Sequence, residues 1–476
     1  MKPIQRVAVL TRDRPASARH VLDTAAALDR GERRVEVIVV DDSRAPAART
    51  EIAARLDGWR GRGGVSATYL GHADFRRLAD ALVVGGIEPA VVELALFDPF
   101  GLDATPGARR NFLQLWSAAR PFLSVDDDMP LEVGAPPGAR GATLEVGEGD
   151  PTRFWFFDRE PQLPAPTSRE ALMSGHESLL GRTAAGAARA LGMDLRAPRS
   201  EAFARRVERE PIVATWTGFS GDVATPNVLA YLKQRGEARR SLLRDAGFYR
   251  RAFASRQVIR APRGPSVADG SFWSPGVTAY DPAALLPPFL PALRGEGLVF
   301  GALVRASSGV LGYLPIVVPH RPTEVRRFDR GALEQSAASF ALSTLLVRWL
   351  HRYRPTADRD PAAALRAAGE HLRELGAGDA DGFAARVQAE RRRYVDDVAT
   401  ELKRCLADRE ETTGPWVDDV GRYLEVAEEA ASSAPGAPTD LPDLERARRF
   451  VVAFADLVRA WPDLVAVARD LAARHA

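Results

Sequence analysis

The sequence predicts an α/β protein with a mostly parallel central sheet, followed by an α-helical C-terminal region. Three observations predict it. Short apolar, β-branched runs alternate with segments of helical period through the first third of the chain. Two of the strands end in runs of aspartate. Beyond about Asp329 the apolar residues recur only at helical spacing.

Taken in order, Arg6 to Thr11 is a buried strand and Pro15 to Leu28 a helix. Val35 to Val40 is a second buried strand that runs into Asp41-Asp42-Ser43. Ala48 to Leu56 is helical, Val65 to Leu70 is a third strand, and Asp74 to Val84 is helical again. The apolar run Pro121 to Val125 is a strand that delivers Asp126-Asp127-Asp128. Gly134 to Thr167 is rich in Gly and Pro and reads as loops around a short aromatic strand, Phe154 to Phe157. Ser168 to Leu191 and Pro226 to Leu243 read as helices, and Gly218 to Asp222 as a glycine-bearing loop flanked by Trp216, with Phe219 within it. Arg256 to Tyr280 reads as loop and short strands, and the prolines of Leu285 to Pro291 make a rigid connector. Ala332 to Tyr353, Pro361 to Leu375, Asp381 to Asp408, Pro415 to Ala431 and Leu444 to Ala473 are helices; Asp360-Pro361 supplies a cap and a first-turn proline. Ser432 to Thr439 is a small polar linker. The division expected is 1–330 for the sheet domain, with a nucleotide-binding half to about residue 130 and an acceptor half after it, and 331–476 for an all-helical domain.

Composition excludes several classes. The 65 basic and 63 acidic residues nearly cancel, so nucleic acid is not an expected partner. A single cysteine, Cys405, rules out an internal disulfide and a cysteine-based zinc site. No apolar run reaches the roughly 18 residues of a membrane span, and the N-terminus lacks the longer apolar core of a signal peptide. A cytoplasmic protein without a membrane span is the expectation. His176-Glu177 lacks the second histidine of a zinc-protease motif and reads as structural, and no glycine follows the first strand in a dinucleotide-binding pattern.

Asp126-Asp127-Asp128 carries the chemistry. Three adjacent carboxylates repel one another and cannot be buried bare. A divalent cation removes that cost, because carboxylate oxygens are its preferred ligands. In parallel sheets the strand ends hold the ligands, so Asp41-Asp42 and the acidic triplet can face one crevice.

Over roughly residues 5 to 322 the chain resembles glycosyltransferases of the GT-A fold, closest to family 2, in four segments. Val9-Leu10-Thr11-Arg12-Asp13-Arg14-Pro15, followed by a helix and the strand ending at Ser43, is similar to the family's opening Thr-x-Asn-Arg-Pro turn and aspartate pair, with Asp13 where the family often has Asn. Arg110-Asn111 resembles an Arg-Asn pair upstream of the acidic motif. Asp126-Asp127-Asp128 resembles the family's Asp-x-Asp. The stretch Arg294-Gly295-Glu296-Gly297, then Val318-Pro319-His320, resembles a Glu-Asp pair followed by a strand ending in histidine, with glycine at 297 where the family has an acid.

The resemblance implies a transferase that moves a sugar from a nucleotide-sugar donor, a UDP-sugar favoured, to an unidentified acceptor with inversion. It implies Mn²⁺ or Mg²⁺ held by Asp126, Asp128 and His320. It implies donor contacts from Thr11, Arg12, Arg14, Asp41, Asp42, Arg110, Asn111, Asp126 and Asp127, with Glu296 as general base. Two alternatives stand beside it. One is a degenerate domain that binds a nucleotide sugar or a partner without turnover, which Gly297 supports. The other is a phosphatase of the haloacid dehalogenase type, which would need a later lysine, and Lys233 is the only one in mid-chain. The C-terminal helices are expected to cover one side of the catalytic domain and either shape the acceptor site or form an oligomer contact.

Overall fold

The computed structural model describes residues 3–30, 35–60, 66–118, 120–163, 166–353, 360–408, 412–433 and 436–474. Val65 and part of the linker 432–439 lie outside these residues.

Among the described residues twelve strands form one sheet: β1 (Arg6–Thr11), β2 (Glu36–Asp41), β3 (Ser66–Leu70), β4 (Phe122–Asp126), β5 (Thr143–Gly147), β6 (Arg153–Phe157), β7 (Asp194–Arg196), β8 (Ile212–Asp222), β9 (Gln257–Ala261), β10 (Ser266–Ala268), β11 (Val277–Tyr280) and β12 (Val310–His320). The order is β3-β2-β1-β4-β11-β8-β12-β10-β5-β7, with β9 joining β6 to β8. The first four neighbours, β3-β2-β1-β4, are parallel, and β11 runs antiparallel between β4 and β8. The predicted α/β class and helical C-terminal region are therefore present. The sheet is more mixed than expected, because β11, β9, β6 and β10 each make antiparallel pairs, and the unforeseen short strands β5 and β7 extend it beyond β10. β1 and β2 are buried on both faces, as continuous apolar runs with helices on either side require. Their parallel alignment with β4 places the ends Thr11, Asp41 and Asp126 along one edge.

Four expectations are corrected. Gly218 to Asp222 is not a loop but the second half of β8, paired with both β9 and β12. Glycine stands there because the strands close in: a β-carbon on Gly218 would lie 2.5 Å from both the Ala261 β-carbon and the Arg260 carbonyl oxygen. Trp216 and Phe219 are buried packing residues on this strand. Ser168 to Leu191 is two helices, Arg169–Leu179 and Ala184–Leu191, separated at Gly181 (φ +71°) and restarted by a Thr183 cap. Pro226 to Leu243 is likewise two short helices, Leu229–Leu232 and Gly236–Leu242. Ala332 to Tyr353 divides in the same way into Arg330–Ala338 and Leu342–Arg352. The other C-terminal helices match expectation, including Pro361–Gly376, whose Asp360 cap accepts from the Ala363 amide at 3.1 Å.

Among the described residues the main apolar cluster runs from Ile4 to Ala468 without a break at residue 330, and two smaller clusters lie within the sheet domain. The helix Leu444–Arg474 packs on the sheet side against the helices Pro89–Leu96 and Pro106–Ser117. Among the described residues no helix is long and apolar enough to cross a membrane.

Gly218→Ala is expected to lower stability by about 3 kcal/mol, because both obstructing groups belong to paired strands that cannot move apart cheaply. Denaturant unfolding followed by circular dichroism checks this; a loss below about 1 kcal/mol contradicts the close approach.

Candidate functional site

β4 carries Asp126 at its last position, and Asp127 and Asp128 follow in a turn closed by the Met129 amide on the Asp126 carbonyl at 3.1 Å. Each carboxylate has its own neutralising partner. Arg110, buried in the helix Pro106–Ser117, donates to Asp126 Oδ1 at 2.6 Å and to the Pro275 carbonyl at 2.5 Å. Asp127 accepts from the Thr11 hydroxyl at 2.9 Å and lies 3.4 Å from the Arg14 guanidinium. Asp128 Oδ2 faces His320 Nε2 at 3.6 Å and Arg14 at 3.6 Å. His320 is oriented through Nδ1, 2.7 Å from the Asp222 carbonyl, and Asp222 is itself locked by buried Arg256. The Arg321 amide donates to the Asp128 carbonyl at 2.8 Å, so the end of β12 is hydrogen-bonded directly to the acidic turn.

The three carboxylates differ in charge state. Removal from bulk water, together with Asp128, Glu296 and Asp127, raises the Asp126 carboxyl to about 7 despite Arg110. Desolvation and Asp128 raise Asp127 to about 6. Burial also pushes Asp128 upward, but the hydrogen bond and charge of His320, with Arg14 and Arg326, hold it below the usual carboxylate range. His320 is raised in return by Asp128. At neutral pH Asp128 is firmly ionised, Asp127 is mostly ionised, and Asp126 is close to half protonated.

A second group lies beside the first. Asp42 Oδ2 accepts from the Thr105 hydroxyl at 2.8 Å and Arg109 at 3.0 Å, and its Oδ1 faces His72 at 3.2 Å. Arg12 donates to Thr105 at 3.1 Å and to the Asp103 carbonyl. The Arg109 charge also acts on Asp127, which joins the two groups. Asp13 adopts a left-handed conformation (φ +54°), and its carboxylate accepts from the Ala45 amide at 2.9 Å; the turn uses its short polar side chain as it would an Asn.

Glu296 is the first residue of the helix Glu296–Ala306, after Gly295 in a left-handed conformation. It is largely buried, its charge acts on Arg110 and Asp126, and among the described residues it makes no hydrogen bond or ion pair. Gly297 has no room for a side chain: a β-carbon would lie 2.8 Å from the Trp273 carbonyl and overlap the Pro275 ring.

The structure therefore brings together Thr11, Arg14, Asp126, Asp127, Asp128 and His320, with Glu296 alongside and the Arg12–Asp42 group adjoining. It places three expected residues elsewhere. Asp41 is fully buried, its two oxygens taken by the Ser43 amide (2.8 Å) and the Tyr69 hydroxyl (2.7 Å), so it cannot reach a ligand. Asn111 spends its amide on the Ala95 and Phe289 carbonyls and the Phe289 amide. Arg110 lies beneath Asp126 rather than out toward a diphosphate. Sequence reasoning missed Arg109, Thr105 and His72. Arg109 was legible in principle, since the position before Arg110 lies about 100° around a helix. His176 sits between Thr215 and Thr217 in the core, structural as expected. Lys233 pairs with Glu401 of the C-terminal helices, so it does not join the acidic cluster as a phosphatase lysine would.

Among the described residues no group of three or more His, Cys, Asp or Glu side chains is disposed to hold a metal ion. Asp126, Asp128 and His320 are thus not a finished three-ligand cage. Mg²⁺ is commonly held by only one or two carboxylates plus substrate phosphates, and hard carboxylate oxygens crowded enough to retain protons fit that mode.

No protein-family model matches the chain, and no curated protein matches it. Solved structures similar to it include the mannosyltransferase PcManGT from Pyrobaculum calidifontis in complex with GDP-Man and Mn²⁺, at 12% identity and a TM-score of 0.31, covering 90% of this chain and 87% of that chain. Residues 1–349 of TarS from S. aureus match at 12% identity and a TM-score of 0.32, covering 90% of this chain and 91% of that chain. The complex of TarS 1–349 with UDP matches at 12% identity and a TM-score of 0.29, covering 89% and 90%. At these TM-scores the likeness decides nothing about the site, whose reading rests on its own geometry.

The Asp127 shift makes a signed prediction for the metal-free protein. A carboxyl raised to about 6 from 3.8 opposes folding once ionised: the cost is complete above pH 6 and vanishes below the unfolded value. Asp127→Asn is expected to stabilise the protein by ~1–3 kcal/mol at pH 8 and to lose that advantage by pH 4. Parallel unfolding curves of variant and wild type across pH test it, and an advantage that grows on acidification contradicts the assignment.

Proposed function

We propose that this chain is a glycosyltransferase that takes a sugar from a nucleoside-diphosphate sugar and passes it to an acceptor hydroxyl, thiol or amine. The observation that carries the reading is the meeting of Asp126, Asp127 and Asp128 at the end of β4 with Thr11 and Arg14 from β1 and its turn and with His320 at the end of β12.

The acidic turn is the place for a divalent cation, Mn²⁺ or Mg²⁺. Asp128, already ionised, is the first ligand expected; Asp126 and His320 are the further ones, and Asp126 must give up a proton to serve. When bound, the cation neutralises the charge that builds on the departing diphosphate. The protein side chains do the rest. Asp42, held by Arg109 and Thr105, is positioned to accept hydrogen bonds from a ribose or base, and Arg12 braces the same loop. Arg14, about a third exposed, can swing from the carboxylates to a phosphate oxygen. Glu296 is the base. It takes the acceptor proton as the acceptor atom bonds to C1 of the sugar and the C1–oxygen bond breaks, with its electron pair leaving on the diphosphate. Attack opposite the leaving group gives inversion.

A second reading is a nucleotide-sugar binder without turnover. Two observations favour it: the second acid of the expected pair is sterically barred at Gly297, and the metal ligands are not preassembled.

A thermal-shift screen of UDP- and GDP-sugars with and without Mn²⁺ is expected to show stabilisation that needs both metal and one donor, and Asp128→Ala is expected to abolish the metal-dependent part. Retention of the full response in that variant would refute the cation assignment. Release of nucleoside diphosphate from the stabilising donor separates enzyme from binder. Glu296→Gln is expected to slow that release by about 10²- to 10⁴-fold while leaving the thermal response intact.

A further inference from the structure

Glu296 is reached from β11 by the segment Asp281–Gly295, which forms no helix or strand and contains Pro282, Pro287, Pro288 and Pro291. Proline has no amide to donate, and within the connector only the Asp281 and Ala284 carbonyls accept from its own amides among the described residues, those of Ala284 and Leu286. Two elements outside it supply further donors. From the sheet domain, Asn111 clamps Phe289 by both its amide and carbonyl, Gln114 donates to the Pro287 carbonyl at 3.3 Å, and the Ala108 amide donates to the Pro291 carbonyl at 2.9 Å. From the C-terminal helix Leu444–Arg474, the buried Trp461 indole donates to the Leu286 carbonyl at 2.7 Å. One Arg469 nitrogen faces the carbonyls of Pro282, Ala283 and Ala284 at 2.6, 3.1 and 3.1 Å.

The end of the connector is held as tightly. Leu293 adopts a left-handed conformation (φ +73°) that a bulky residue takes only when its surroundings impose it, and its amide donates to the Ala104 carbonyl at 2.8 Å. Gly295 (φ +87°) lies so close to Ser343 of the helix Leu342–Arg352 that a β-carbon there would overlap the Ser343 hydroxyl. Gly295 is the residue from which the Glu296 helix starts, so whatever fixes it also fixes the backbone position from which the Glu296 side chain extends.

We infer that the C-terminal helices set the position of Glu296, with Trp461 and Arg469 as positioning residues that act through the 281–295 connector and Ser343 as the stop against which Gly295 rests. The inference rests on the glycosyl-transfer reading for its functional meaning but not for its structural content. It also gives the C-terminal region a task distinct from acceptor binding or oligomer formation. Neither residue touches a reacting atom; a misplacement of about 1 Å at a base costs on the order of 10²-fold in rate, so a brace this far back has leverage.

The test uses the full chain. Trp461→Phe keeps a large ring and loses only the N–H; Arg469→Gln is the second variant, should the first fail to fold. Hydrogen–deuterium exchange is expected to quicken at the amides of 293–300 in both, with the amides of 124–129 unchanged. With Mn²⁺ and the donor that gives the thermal response, release of nucleoside diphosphate is expected to fall about tenfold in kcat with the donor KM unmoved. Trp461→Phe should add no further loss in a Glu296→Gln background. Unchanged exchange at 293–300 in the folded variants overturns the inference whatever Glu296 does. Faster exchange with an undiminished Glu296→Gln rate leaves the brace standing and overturns the base assignment instead.

Discussion

Three like charges on consecutive residues are the constraint around which this molecule is organised. The backbone cannot separate them, so the fold surrounds each with a different partner: Arg110 from below for Asp126, Thr11 and Arg14 from the side for Asp127, and His320 from across the sheet for Asp128. The consequence is a graded cluster rather than a uniform one. Asp128 stays charged, while Asp127 gives up its proton only near pH 6 and Asp126 only near pH 7. Graded basicity suits a place where a cation and a phosphate must come and go, since a cluster fully neutralised by arginine would have no charge left to offer.

The partners come from distant parts of the chain, which explains the topology. β1 and β4 are parallel neighbours, so their ends arrive side by side. β12 enters from beyond β11 and β8, and the Arg321 amide on the Asp128 carbonyl ties its end to the turn. Antiparallel β11 is the hinge of this arrangement: it lets strands after residue 200 return to the same edge as strands before residue 130.

Much of this was legible in the sequence, and what was not has identifiable causes. β1, β2 and β4 announce themselves because strands buried on both faces are continuous apolar runs, and the aspartates that end them mark the ligand edge. The Gly218 segment misled because glycine signals both a turn and a crowded strand, and only the neighbouring Arg260 and Ala261 decide between them. Asp41 and Asp42 look equivalent in a string; the pleat turns one toward Tyr69 and the other toward Thr105 and Arg109. Asn111 has the right type for a polar contact, yet its neighbour in space is the Phe289 backbone, which lies 178 residues away. Side-chain roles that depend on such long-range partners are not encoded locally. The halves drawn at residue 330 reflect a real change in local pattern, but the apolar core runs through it.

The crowding at position 297 limits what a substitution there can add. With the Trp273 carbonyl and the Pro275 ring already where a first side-chain atom would go, a lone codon change to aspartate could not install a second acid. The 273–275 turn would have to retreat first, and Trp216 anchors that turn through the Ser274 carbonyl at 2.6 Å. Whatever chemistry the molecule performs, it is committed to doing it with one carboxylate at that corner.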